Sequence, residues 1–95
     1  MAFVLAARWT AREGEEESVA SALRSLGEAT RKEPGCIMWV PNRDPENPGS
    51  FLIYEQYEDK AAFEAHGASE HFKRLALEGA IPLLESRERA FYETL

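Results

Sequence analysis

The sequence predicts an α+β domain in which a four-stranded antiparallel sheet carries two helical regions on one face, and three observations support this. Four stretches, 3–12, 36–40, 51–57 and 86–93, carry strand patterns. Helical patterns fall only between the first and second of these and between the third and fourth. The 95 residues, 44% apolar and 11% aromatic, suffice for one core and not two. The chain is therefore read as a single domain over 1–95.

In the first strand Phe3, Leu5, Ala7, Trp9 and Ala11 share one face, and Val4, Ala6, Arg8 and Thr10 the other. Both faces are mostly apolar, which predicts cover on each side, by the chain's own helices and by a second subunit. Glu15, Glu16 and Glu17 then open a helix at the end where its dipole favours negative charge. Val19, Ala22, Leu23 and Leu26 form its buried stripe, Arg31 and Lys32 lie near its end, and Pro34-Gly35 stops it. The second strand, Cys36 to Val40, runs into a loop from Pro41 to Ser50 whose prolines and glycine are not expected to continue a ladder.

Phe51 to Tyr57 is the strongest strand, with Phe51, Ile53, Glu55 and Tyr57 facing opposite to Leu52, Tyr54 and Gln56. Asp59 is the expected N-cap of a helix over Lys60 to His66. Gly67 interrupts it, Ser69 caps a second piece with Phe72, Leu75 and Ala76 on its buried stripe, and Pro82 ends that piece. Ser86 to Glu93 alternates as a fourth strand. The order β-α-β-β-α-β is the ferredoxin-like arrangement. Because its helices cover one side only, apolar residues on the other call for sheet-to-sheet dimerisation.

Eleven basic against seventeen acidic residues give a formal charge of -6, a field that repels nucleic acid and anionic membranes. No apolar run approaches the roughly 18 residues needed to span a bilayer, and the first residues lack the basic region of a secretory signal, so the cytoplasm is the expected compartment. Cys36 is the only cysteine, which excludes an intramolecular disulfide and a multi-cysteine metal site; a buried structural thiol is expected.

Both histidines, His66 and His71, lie in the stretch that joins the third strand to the second helical region. They are the only side chains whose ordinary titration range is close to neutrality. Five residues apart, they turn away from each other on a continuous helix, unlike the i, i+4 pair that binds zinc. His66-Gly-Ala-Ser-Glu-His71 is also one residue too long for an H-x-x-E-H zinc signature, so no metal is expected. A helix break at Gly67 is the one arrangement that would bring the imidazoles together. His66 follows Ala62 and Phe63 by four and three residues and should face the sheet, whereas His71 begins the next helical piece.

Glu55 is a carboxylate among apolar neighbours and must be paired, protonated or wet, with Arg87 or Arg89 as possible partners. Eight aromatic residues, Trp9, Trp39, Tyr54, Tyr57, Phe63, Phe72, Phe91 and Tyr92, spread over the predicted elements, enough to line a flat pocket as well as fill a core. No phosphate-binding glycine loop, serine-nucleophile motif or dinucleotide fingerprint is present, so flavin or nicotinamide use has no support.

The run from Phe51 to His66, then Ser69-Glu-His-Phe72, with Pro34-Gly35 opening the second strand, resembles the antibiotic biosynthesis monooxygenase family. These are small dimeric α/β-barrel proteins that include quinol monooxygenases and polyketide-tailoring oxygenases. The resemblance implies a homodimer, a pocket in each subunit between sheet and helices, and oxygenation of a small electron-rich aromatic or quinol by dioxygen without a cofactor. Such chemistry needs a base, an anion-stabilising donor and a dry pocket. His66 and His71 match the family's two helix histidines and are the expected catalytic residues. Glu55 matches the strand glutamate, in an orienting role, and Tyr54, Trp39, Phe63 and Phe72 are the expected substrate contacts beside it. Tyr54 and His66 are expected to approach each other. Haem degradation is disfavoured, because residues 3–12 hold no Asn and residues 60–78 no Trp. The anthrone-oxidising pattern of a helix-region Asn and Trp is missing as well. A non-redox binding protein or isomerase of the same fold is the alternative.

Overall fold

The computed structural model describes all 95 residues. Strand β1 (Phe3–Ala11) is followed by helix α1 (Glu16–Thr30), strands β2 (Cys36–Arg43) and β3 (Ser50–Tyr57), and helix α2 (Lys60–Gly67). The short helix α3 (Glu70–Phe72) continues into a π-helical stretch Lys73–Ala80 and a 3₁₀ turn Ile81–Leu83 that contains Pro82, and β4 (Leu84–Glu93) closes the fold. The sheet order is β2-β3-β1-β4 and every pair is antiparallel, the predicted ferredoxin-like arrangement.

Two strand boundaries differ from expectation. β2 does not stop at Val40 but runs through Pro41, opposite Ile53, to Arg43. The reason is its place at the sheet edge, where a residue without an amide donor leaves no ladder bond unmade. β4 also begins earlier than expected, at Leu84, because a register shift at Thr10/Ala11 lets Ala11 pair with it.

Register assigns the faces. Leu5, Ala7 and Trp9 of β1 lie beside Glu55, Ile53 and Phe51 of β3, and this face meets the helices. Against it α1 buries Val19, Leu23 and Leu26, the stripe read from the sequence. Trp39 sits 2% exposed between β2 and α1, so close that a Cβ at Gly27 would lie 3.0 Å from its ring. The opposite face is only partly covered. Val4 is buried, but Met38, Val40, Leu52 and Tyr92 stand exposed. No helix is long and apolar enough to cross a membrane.

Gly35 sets the spacing between the α1–β2 turn and α2, because a Cβ there would collide with the Cβ of Ala62. Neither atom belongs to a flexible side chain, so the collision can be relieved only by moving backbone. Gly35→Ala is therefore expected to destabilise the fold by about 1–3 kcal/mol, the usual cost of overpacking, read as a lower urea midpoint at unchanged slope.

Candidate active site

Two side-chain caps set the geometry of the second helical region. Asp59 accepts from the Ala62 amide at 2.8 Å and starts α2, as expected from the sequence. Ser69 caps the next turn by accepting from the Phe72 amide at 3.2 Å, and its hydroxyl donates to the His66 carbonyl at 2.6 Å. The break between α2 and α3 follows from this cap, since Gly67 is absent from the positions with positive φ. Its consequence corrects the spacing argument. His66 and His71 do not turn away from each other: their ring centroids lie 6.1 Å apart.

Both rings converge on Glu33, which stands in the turn between α1 and β2. His66 Nδ1 lies 2.8 Å from Glu33 Oε2, and His71 Nε2 lies 2.5 Å from the same oxygen. An ionised carboxylate only accepts, so each ring nitrogen donates. The three donor atoms lie within 4.8 Å of one another, near enough to raise the question of a cation. Yet both nitrogens aim at one oxygen at hydrogen-bonding distance, so Glu33 Oε2 fills the point between the rings that a shared ion would take.

His66 is 3% exposed and packed between Tyr57 and Phe72, with centroid distances of 5.4 and 5.1 Å. Burial pushes its pKa down, against the opposing pull of the Glu33 carboxylate. Its other nitrogen, Nε2, lies 3.9 Å from Glu55 Oε1. Glu55 itself is 5% exposed and accepts from the Tyr57 hydroxyl at 2.5 Å. Neither Arg87 nor Arg89 pairs with it, contrary to expectation; the tyrosine satisfies it instead. Burial pushes the Glu55 carboxyl up to about 7, with Tyr57 and Trp39 holding it down in part. The Trp39 indole N–H, opposite Glu55 in the ladder, stops short of hydrogen-bond geometry with any partner and acts as a nearby dipole. Burial and the Glu55 charge push Tyr57 far upward, so it remains a donor.

Glu55 yields a pH prediction. Its folded pKa lies above the ordinary value of 4.5, so the fold binds this proton more tightly than the unfolded chain does. The contribution of Glu55 is then most favourable below pH 4.5 and is lost as pH rises to about 7, a fall on the order of 3 kcal/mol. Urea unfolding at pH 5 and pH 8 should show it as the difference between wild type and Glu55→Gln, with the wild type losing more stability on going to pH 8, because the lowered pKa of His66 contributes with the opposite sign in both proteins.

A cavity of about 230 Å³ opens beside this network. Trp9, Phe63 and Phe72 wall it with aromatic surface, Glu55 and His66 are its buried titratable groups, Glu64 of α2 is an exposed one, and Arg87 and Arg89 of β4 line its far side. A cavity of about 150 Å³ holds benzene, so this one suits a substituted ring or a small bicycle.

Of the residues singled out from the sequence, His66, Glu55, Phe63 and Phe72 line the cavity; His71, Tyr54 and Trp39 do not. His71 reaches Glu33 from beyond His66. Tyr54 lies on the opposite face of β3, where its hydroxyl accepts from Gln56 at 2.9 Å, so the expected approach to His66 is made by Tyr57 instead. Trp39 is a core residue behind Glu55. Cys36 is half-buried rather than buried, and burial together with Glu33 and Glu55 pushes its thiol pKa up. Sequence reasoning missed Glu33. Its only signal was a lone carboxylate directly before Pro34-Gly35.

The model of the antibiotic biosynthesis monooxygenase family matches residues 2–76, a span that holds Glu33, Glu55 and both histidines. The chain belongs to that family. No curated protein matches it. Among solved structures, a protein from Pseudomonas aeruginosa is similar at 32% identity and a TM-score of 0.92, with 99% of this chain and 94% of that one covered. A protein from Shewanella oneidensis shares 30% identity at a TM-score of 0.84, covering 96% and 88%. A structure described as an antibiotic biosynthesis monooxygenase shares 26% identity at a TM-score of 0.91, with 98% of each chain covered.

Proposed function

We propose that the chain is a cofactor-independent monooxygenase that oxidises a small electron-rich aromatic or quinol substrate with dioxygen. The observation that carries this reading is the aromatic-walled cavity in which His66 and Glu55 are the buried titratable groups. A neutral imidazole can remove a phenolic proton, and the resulting anion is electron-rich enough to reduce dioxygen. Trp9, Phe63 and Phe72 hold the ring and exclude water, so the anion reacts with oxygen in a dry site. In this reading His66 is the catalytic base, Glu55 orients the substrate, and His71 acts through Glu33.

The working unit is a homodimer that covers the exposed face carrying Met38, Val40, Leu52 and Tyr92. Tyr54, on that same face, then belongs to the interface rather than to the substrate. Sedimentation at micromolar concentration tests this, and a strict monomer overturns it.

The poised Glu55 beside His66 also favours a second reading, isomerisation by proton transfer without oxygen. One experiment separates the two. The protein is incubated anaerobically with a panel of quinols and anthrones, oxygen is admitted, and products are weighed for one added oxygen atom. A gain of one oxygen atom from labelled dioxygen supports the monooxygenase. Rearranged product without oxygen supports the isomerase, and no product from any member of the panel counts against the monooxygenase.

A further inference from the structure

We propose that Glu33 is a positioning residue that holds His66 in the tautomer whose free nitrogen faces the cavity, with His71 bracing Glu33 from the other side. The inference rests on the reading of His66 as the cavity's base.

A neutral imidazole carries one N–H, and where that proton sits decides which nitrogen can act as base. Glu33 accepts at 2.8 Å from Nδ1, which places the proton there. Nε2 then keeps its lone pair. It lies 3.9 Å from Glu55 Oε1, an oxygen that already accepts the Tyr57 hydroxyl, and both residues line the cavity. When Nε2 takes a proton from a bound phenol, the O–H bond breaks, an N–H bond forms and the electron pair stays on the substrate oxygen. The positive charge created on His66 arises against the Glu33 carboxylate, which stabilises it without having to reorganise.

His71 explains why Glu33 is already in place. Its Nε2 shares Glu33 Oε2, so the carboxylate is anchored whether or not His66 is charged. The two anchors come from different elements. Glu33 belongs to the turn that Gly35 packs against Ala62 of α2, and His71 to α3, started by the Ser69 cap. His66 is faced by Glu33 from that turn, Glu55 and Tyr57 from β3, and His71 from α3, while Glu64 of its own helix and Arg87 and Arg89 of β4 also line the cavity. Glu33 is the only carboxylate among these within hydrogen-bonding distance of His66.

The test needs no substrate: nitrogen-15 spectra of the imidazoles are recorded against pH for the wild type, Glu33→Gln and His71→Gln. In the wild type His66 should carry its proton on Nδ1, exchanging slowly with water. Glu33→Gln keeps the size and an acceptor oxygen but removes the charge, so His66 should titrate at lower pH. His71→Gln should leave the His66 tautomer in place while loosening exchange of the Nδ1 proton. A wild-type His66 protonated on Nε2 overturns the proposal, and so does a His66 titration unchanged in Glu33→Gln. The wild-type tautomer decides the matter even if a variant fails to fold. Because these readings are independent of turnover, an inactive chain with the Nδ1–H tautomer would sink the oxygenase reading alone, and an oxygenase with the other tautomer would sink this one.

Discussion

Replacement of His66 by asparagine is expected to lower the rate of the proposed oxygenation by about 10²–10⁴-fold, the usual worth of a positioned base. The choice of asparagine matters. Its amide can still donate to Glu33, as Nδ1 does at 2.8 Å, but offers no lone pair at the position of Nε2. The half-buried Glu33 carboxylate thus keeps a donor, and the loss falls on proton abstraction rather than on folding. Dioxygen consumption with the substrate found in the quinol panel measures the rate, and urea unfolding checks the fold. An unchanged rate in a folded variant would remove His66 from the mechanism. A more alkaline medium should partly rescue the variant with a phenolic substrate, because hydroxide then supplies the substrate anion that the proposed base no longer makes.

Trp39→Ala is expected to cost about 3–5 kcal/mol, the range for deleting a large buried aromatic. That is a large share of the roughly 5–15 kcal/mol that stabilises a domain. The indole is 2% exposed and wedged against α1 at Gly27, so its removal leaves a void between helix and sheet that neither can close without shifting. The site should feel the change as well. Trp39 is one of the two groups that hold the Glu55 carboxyl down, so its loss should move Glu55 titration further up. Trp39→Phe is the control. It keeps most of the volume and removes an N–H with no partner, so it should lose much less stability while still shifting Glu55. Denaturant midpoints and a pH series of the three proteins test both effects.

Much of the fold was legible because period and caps are local properties. Alternation marked β1, β3 and β4, and the apolar stripe marked α1. Asp59 and Ser69 announced the helix starts that the structure contains. Pro41 misled, because the same residue is forbidden in a central strand and harmless at an edge, and edge position is a property of the whole sheet. Tyr54 misled in a related way. Its alternation placed it opposite Glu55, and only the supposed approach to His66 overrode that reading. The alternation was right, and Tyr57, on the Glu55 face, is the tyrosine that meets the imidazole.

The site was legible in parts. His66 could be aimed at the sheet from its distance to Ala62 and Phe63, and Glu55 could be recognised as a carboxylate in need of a partner. What the partner was could not be read. Two arginines with the right charge stood on β4, yet the bond comes from Tyr57, two residues along the same strand, because burial favours a short neutral donor over a guanidinium reaching in from the rim.

The order of elements, the faces of the strands, the family resemblance and the inward-facing histidine could all be read from local patterns, since each depends on residues within a few positions of one another. It takes the folded chain to bring Glu33, 33 residues before His66 and 38 before His71, to where it takes a hydrogen bond from both. That convergence depends on three things set far apart in the chain: the end of α1, the Gly35 contact with Ala62, and the Ser69 cap that turns His71 back toward His66. A carboxylate beside a turn looks the same in the sequence whether water or two imidazoles surround it, and packing alone chooses between them.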